Sequence, residues 1–434
     1  MARRAAAGPR PRGGRRVSDG WNRHRAEPVS VGEQRTTRAE RRRAAERARI
    51  KRRRRVALLS MLVVFLVVVG GVLWTVRGSL FGGAAAPDDY ASGQAGPEVV
   101  VHIVGQNNSD FAQNLVDAGV VKSVGAFNQA AGDKPISAGY YELRKSLPAA
   151  EAVTMLVDPD RSHRVGMLNV PAGAVLDDKR NKDGKTALGI FSQLSAATAH
   201  TVDGVKKQTP KADFVRIASS ATVADLGVPE WAAGTVTRLK GDHRRLEGLI
   251  APGIWDQIDP AGTPIAILKQ LITASAKQYE AQGLLTASRS SAAKLAPYQV
   301  LVSASIVERE VNQADDYPKV ARVILNRLAK NQKLEMDSTV NYGEAVTGID
   351  VAGEKLLKKT EWNTYAKTGL PATPIGAVGT DALVATENPA PGPWLYFVTV
   401  DNKGTTLFTD DFAQHERNRQ KACDTKFLTV GCGP

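Results

Sequence analysis

The chain has 434 residues, 24% of them charged, with 58 Lys and Arg against 44 Asp and Glu and a formal net charge of +14. Residues 1–55 hold 20 Lys or Arg against 5 Asp or Glu, a net +15, so the remainder nets about −1 and the high pI describes the amino-terminal tail rather than the folded part. That length accommodates two or three domains with a sizeable core. Six scattered histidines without a His-x-x-x-His pair, and two cysteines near the end, argue against a zinc site.

The tail has one aromatic, Trp21, and many Ala, Gly and Pro. It reads as a disordered segment drawn to anionic lipid heads rather than as a nucleic-acid binder. Val56–Val76, VALLSMLVVFLVVVGGVLWTV, follows without one charge, between Lys51–Arg55 and Arg77. At about 1.5 Å per residue it spans a hydrocarbon core of roughly 30 Å, which predicts a single transmembrane helix. A cleavable signal peptide competes, helped by the small residues Gly82–Ala86, but the long basic region and the long apolar run oppose it. The positive-inside bias leaves the tail in the cytoplasm and everything beyond Arg77 outside the membrane. Residues 77–97, small and aperiodic, read as a linker.

Beyond the linker the pattern predicts a small α/β module over 98–160. It comprises a strand at Glu98–Val104, helices near Ser109–Ala118 and Val124–Ala131, a strand at Gly139–Arg144 and a helix at Pro148–Leu156. The larger part, 161–434, opens with a strand at His163–Val170 leading into Pro171, Ala172 and Gly173, then reads as helical and Ala-rich to about Asp242, with loops at Asn181–Gly184 and Gln208–Lys211. Gly184-Lys185-Thr186 mimics the end of a phosphate-binding loop, but Lys179 stands where its first Gly belongs. A helix is expected from Thr263 to about Gln282, another over Pro297–Asn312, and a third after Asp315 or Asp316 with Pro318 in its first turn. Leu334–Tyr342 reads as extended, Trp362–Pro374 as an irregular loop, Leu395–Val400 as a buried strand with Gly404–Phe408 as its hairpin partner, and His415–Lys421 as the closing segment.

On the Pro297–Asn312 helix, Val300, Leu301, Ala304, Val307 and Val311 form one apolar arc, and Glu308 falls inside it. Glu310 projects from nearly the opposite side, so the two carboxylates do not line one cleft. A poorly solvated carboxylate has a raised pKa and can hold a proton near neutral pH, as a general acid must. A structural ion pair between Glu308 and Arg322 or Arg327 would also occupy such a position, and the pattern leaves both readings open. No Gly-x-Ser-x-Gly elbow is present, which removes support for serine-hydrolase chemistry. Carboxylate acid/base work beside aromatic and amide side chains remains, and it suits a sugar polymer. Cys423 and Cys432 could close a short disulfide loop in an oxidising compartment or stay as two thiols.

Ser305-Ile-Val-Glu308-Arg-Glu310, Ile324-Leu-Asn326-Arg327-Leu328, Asp337-Ser-Thr339-Val340-Asn-Tyr342, Asn363-Thr364-Tyr365 with Gly369-Leu-Pro371 and Pro374-Ile375, and Leu395-Tyr396-Phe397-Val398 occur in this order, preceded by Leu246-Glu247-Gly248 and Pro252. In these motifs the chain resembles the MltG/YceG-like endolytic murein transglycosylases over roughly residues 98–420. The resemblance implies an α+β fold: one transmembrane helix, a LysM-like module at 98–160 and a larger mixed α/β catalytic domain at 161–434. It implies a membrane-anchored, cofactor-free lyase cutting the β-1,4 bond between N-acetylmuramic acid and N-acetylglucosamine within nascent strands, leaving 1,6-anhydro ends. Its partners would be peptidoglycan strands, the bilayer and peptidoglycan synthases. Glu308 matches the catalytic glutamate, and Asn326, Asp337, Thr339, Tyr342, Asn363 and Tyr365 match motif positions expected to bind or orient the glycan.

The chain departs from the family at several points. Trp255 and Trp362 replace Tyr, a change that an aromatic platform tolerates; Ala172 stands where a Glu is expected, and Thr406 where a His is common. Glu335 replaces an amide and sets a second acid near Asp337. That keeps a two-carboxylate muramidase as an alternative mechanism, and a non-catalytic cell-wall scaffold is the alternative of another class.

Overall fold

The computed structural model describes residues 61–69, 86–285, 295–347, 353–429 and 432. Residues 61–69, inside the apolar run 56–76, are helical; the rest of that run, the tail and the linker up to residue 85 lie outside the described residues. Among the described residues no helix is long and apolar enough to cross a membrane. The chain divides into two units, Met1–Ala84 and Ala85–Pro434.

The second unit begins with the small module. Strand β1 (Glu98–Ile103) pairs antiparallel with β2 (Gly139–Arg144), Glu98 facing Arg144 and His102 facing Tyr140, and β3 (Arg164–Val165) joins the other edge of β2. Helices α1 (Asn108–Asp117), α2 (Val124–Ala131) and α3 (Ala149–Leu156) lie where the apolar periodicity puts them. Short polar side chains set two of the starts: Asn107 accepts from the Ser109 and Asp110 amides, and Ser123 from the Ala126 amide. Val101, Ile103, Tyr141 and Leu143 alternate into a core shared with Phe111, Leu115, Phe127 and Val153.

The larger part has its own core, and among its described residues the sheets are two-stranded. Strand β4 (Leu168–Val170) pairs with β9 (Gly253–Trp255), and two hairpins, β5 (Lys179–Arg180) with β6 (Thr186–Ala187) and β7 (His200–Val202) with β8 (Val205–Lys207), occupy a region expected to be helical. The second hairpin turns on Asp203-Gly204, both at positive φ, a two-residue turn that overrides the Ala-rich surroundings. Helices α4 (Ile190–Ala197), α5 (Lys211–Ser220) and α6 (Glu230–Arg238) fill the space between.

At the centre stands α8 (Pro297–Glu310), preceded by α7 (Pro264–Ala281), which Thr263 caps. Helix α8 is apolar well beyond one arc: Tyr298 and every residue from Val300 to Val307 are buried. It stops at Glu310, so Val311 is buried as an extended residue rather than as part of the arc. Around α8 pack α9 (Tyr317–Ala329), α10 (Asp337–Gly343) and α12 (Thr380–Glu387), with the short α11 (Glu354–Leu357) between the last two in sequence.

The segment 334–342 is not extended throughout. Leu334, Met336, Val340 and Tyr342 are buried, the alternation that suggests a strand. The chain nevertheless closes into α10 at Asp337, with the Thr339 hydroxyl donating back to the Met336 carbonyl at 2.7 Å. Trp362–Pro374 is irregular, as expected. Strand β10 (Tyr396–Thr399) is only partly buried and pairs with β11 (Thr406–Thr409); α13 (Phe412–Asp424) follows, and Cys423 and Cys432 form a disulfide.

Because α8 is enclosed on all sides, truncating its middle leaves a void that the surrounding helices cannot readily fill. Leu301→Ala should cost about 2–5 kcal/mol in chemical unfolding. A loss below about 1 kcal/mol would mean that α8 is not the element the core is built on.

Candidate active site

Glu308 lies in the last turn of α8, where the helix emerges from the core. Its Oε2 accepts a hydrogen bond from the Gly379 amide at 3.0 Å, and its Oε1 accepts one from the Tyr317 hydroxyl at 3.3 Å. Gly379 is the N-cap of α12, so the carboxylate meets the positive end of that helix. Burial pushes the Glu308 pKa up; the Gly379 amide and the Tyr317 hydroxyl, which favour the ionised form, pull back against it, and Asp381 adds to the rise.

The ion-pair alternative is not realised. Arg322 donates to the carbonyls of Ala390 and Pro389, and Arg327 to those of Leu395, Lys333 and Leu334 and to the Glu335 carboxylate at 3.0 Å. Both guanidiniums brace carbonyls that lie outside the regular elements.

Local sequence explains how the carboxylate is held. Ser305, one turn before Glu308, accepts from the Ile375 amide at 3.0 Å and so ties the chain leading to Gly379 against α8. Arg309 reaches the other way, donating to the Gly173 carbonyl at 2.7 Å, while the Gly173 amide donates to Ala377. The Pro171–Gly173 turn and the Gly379 corner thus close on the carboxylate from two directions. A Cβ at Gly379 would lie 2.8 Å from Glu308 Oε2 and 3.3 Å from the Ala172 Cβ.

Glu310 points elsewhere, as the helical spacing requires. It accepts from the Ser338 amide at 3.2 Å, and burial, reinforced by the nearby Asp337, pushes it up to about 7. Asp337, Thr339, Asn363 and Tyr365 do come together, at the start of α10 against the 363–365 loop. The Tyr365 hydroxyl donates to Asp337 at 2.6 Å, the Thr339 and Thr364 hydroxyls meet at 2.9 Å, and the Asn363 amide donates to the carbonyls of Lys355, Leu356 and Lys358.

The other two motif residues stand apart from this group. The Asn326 amide donates to the Gly392 and Trp394 carbonyls, and the Tyr342 hydroxyl donates to Glu247 at 2.9 Å. None of the six is hydrogen-bonded to Glu308. Glu247 is itself fully buried and is pushed up to about 7 by that burial, despite donation from the Leu176 amide and Tyr342. Trp362 is no open platform: it is buried, bonded to Thr373 and covered by the Arg244 guanidinium 3.8 Å from its ring.

Sequence reasoning missed Tyr317, Gly379 and the role of Ser305. Tyr317 directly follows the pair Asp315-Asp316 that marks a helix start, and Gly379-Thr380-Asp381 opens another helix, but neither signal says that the two starts meet at Glu308.

Residues 101–421 match the YceG-like family. The chain belongs to that family. It is 26% identical over 327 residues to the endolytic murein transglycosylase of Bacillus subtilis (strain 168), covering 74% of this chain and 84% of the relative. With the endolytic murein transglycosylase of Streptococcus pneumoniae R6 it shares 24% identity over 336 residues, 74% of this chain and 58% of the relative. A crystal structure of a YceG-like protein from Listeria monocytogenes matches with a TM-score of 0.44 at 22% identity, over 74% of this chain and 98% of that one.

In this YceG-like chain Gly379 has an ordinary φ of −73°, so a side chain there meets the carboxylate without straining the backbone. Gly379→Ala should therefore leave unfolding stability within about 1 kcal/mol of the parent while a crystal structure of the variant finds the Glu308 carboxylate turned away from the α12 amide. An unmoved carboxylate would mean that the close approach does not fix its position.

Proposed function

We propose that this YceG-like chain is an endolytic murein transglycosylase that cuts the β-1,4 bond between N-acetylmuramic acid and N-acetylglucosamine inside glycan strands, with Glu308 as acid and then base. The observation carrying this reading is a desolvated carboxylate bonded to an amide and a hydroxyl rather than paired with a cation. Its curated relatives bear the name of that activity.

The chemistry needs only one such group. Protonated Glu308 gives its proton to the glycosidic oxygen as the C1–O4 bond breaks. The resulting carboxylate, held by the Gly379 amide and the Tyr317 hydroxyl, takes the proton of the sugar's C6 hydroxyl as O6 bonds to C1. The product is a 1,6-anhydro ring, and no water is consumed. A hydrolase would need a second carboxylate beside the bond. Here Glu335 is paired with Arg327 and Asp337 receives the Tyr365 hydroxyl, which favours the one-acid route.

In this reading Asp337 and Tyr365, both partly exposed, contact the glycan. Thr339 and Asn363 brace the loop beside them, Asn326 holds the 392–394 turn, and Tyr342 orders the interior next to the cleft. The apolar run 56–76 anchors the chain, the basic tail stays in the cytoplasm, and the Cys423–Cys432 disulfide suits an enzyme outside the membrane. The 98–160 module, which the family resemblance makes LysM-like, would bind or space the strand, with peptidoglycan synthases as neighbours.

Two experiments test this. Mass spectrometry of uncrosslinked strands incubated with the protein should find fragments ending in 1,6-anhydromuramic acid, and Glu308→Gln should lower their rate by about 10²–10⁴; reducing ends instead, or retained activity, would sink the reading. The second is a pH profile. A general acid is lost as pH rises through its pKa, and the Tyr317 hydroxyl favours the ionised form, so Tyr317→Phe should raise that pKa. The basic limb should move to higher pH by a few tenths to about one unit, the worth of one hydrogen bond. Movement to lower pH would assign the hydroxyl a different role.

A further inference from the structure

The larger part also holds a cavity of about 510 Å³, within the range of ligand sites. Its walls come from three separated stretches, residues 175–179, 241–244 and 342–345, and they carry both signs of charge: Asp177, Lys179, His243, Arg244 and Glu344 around the Tyr342 ring.

The hydrogen-bond inventory of these groups is incomplete in a particular way. Asp177 accepts from His243 on Oδ2 at 2.8 Å, and Glu344 accepts from Lys358 on Oε1 at 3.2 Å, so among the described residues each of these cavity-lining carboxylates keeps one oxygen without a hydrogen-bond donor. Arg244 commits Nε and Nη2 to Asp242 and keeps Nη1; Lys179 gives two of its three hydrogens to the Tyr342 and Glu344 carbonyls. Open acceptors and open cationic donors in one cavity match a ligand that bears both an ammonium and a carboxylate. A chain of N-acetylated sugars has no ammonium to offer.

The cavity is also close to the carboxylate in the chain. A Cβ at Gly173 would lie 3.9 Å from the Glu308 Cγ. Asp177 is four residues further along, no more than about 14 Å away at full extension.

We propose that this cavity receives the peptide stem of murein, attached to the muramic acid at or next to the bond being cut, with Asp177 and Glu344 taking its free amine and Arg244 and Lys179 its carboxylate. The proposal rests on the murein reading above and adds a selection rule to it. In a cross-link the acceptor stem has its amine tied up in an amide and the donor stem has lost its terminal carboxylate, so each forfeits one of the two contacts and the enzyme favours strands not yet cross-linked.

The test is calorimetric titration of the full chain in detergent micelles with the soluble peptide N-acetyl-L-Ala-γ-D-Glu-L-Lys-D-Ala-D-Ala, whose only amine is that of the lysine, beside the same peptide acetylated on its lysine amine as well. The free peptide should bind, and acetylation should weaken it at least tenfold. Asp177→Asn and Glu344→Gln should each weaken the free peptide and narrow its advantage over the acetylated one, with thermal unfolding confirming that both variants fold. No saturable binding at millimolar peptide, an equal affinity for the two peptides, or two folded variants that bind like the parent would each overturn the proposal. Binding does not depend on cleavage, so a chain that binds the peptide but cuts no strands refutes the transglycosylase reading and leaves the pocket standing, whereas one that cuts strands without binding the peptide refutes the pocket alone.

Discussion

The structure depends on one awkward requirement: a helix buried almost all round must end in a carboxylate that stays available. Helix α8 is enclosed from Val300 to Val307, with only Ser303 and Ser305 polar in that span, and Glu308 is the next residue. Ionising a carboxylate at such a place is costly unless donors meet it, and pairing it with a cation would leave it unable to hold a proton. The chain answers with two neutral donors, the amide of Gly379 at the N-cap of α12 and the Tyr317 hydroxyl. Both stabilise the ionised form without fixing it, and burial keeps the pKa above its ordinary value. The arginines that could have neutralised Glu308 are instead consumed by carbonyls of irregular backbone.

Other features follow from holding that contact. Glu308 and Gly379 are 71 residues apart, so their meeting must be enforced by tertiary structure. Ser305 bonds Ile375, Arg309 bonds Gly173, and Gly173 and Ala174 exchange backbone bonds with Ala377. These few contacts fix the corner between the turn at 171–173 and the start of α12. Elsewhere in the interior the buried Glu247 carboxylate accepts from Tyr342, which lines the ionic cavity.

What could be read from the sequence was what local periodicity encodes. The small module is legible because its strands alternate and its helices have polar caps, and α7, α8 and α9 because their apolar residues recur at helical spacing. Position 308 stood out as an acid among apolar residues for the same reason. Where local signals conflicted, the reading failed. Alternating apolar residues at 334–342 mimic a strand although the chain turns into α10, and the Asp203-Gly204 hairpin is hidden in an Ala-rich stretch. The other half of the site was not legible, because Tyr317 and Gly379 acquire their meaning only from folding against Glu308. The motif residues Asn326, Thr339 and Asn363 are recognisable in sequence, yet their side chains spend their donors on the protein's own backbone.

The central claim is that Glu308 is a desolvated carboxylate able to hold a proton. The most direct measurement is its own titration, by carbon-13 NMR of protein labelled at the glutamate carboxyls, with Glu308→Gln identifying the resonance. The midpoint should lie above the ordinary 4.5. A midpoint at or below that value would mean the carboxylate is already ionised and stabilised in the resting protein, and would contradict its role as the acid.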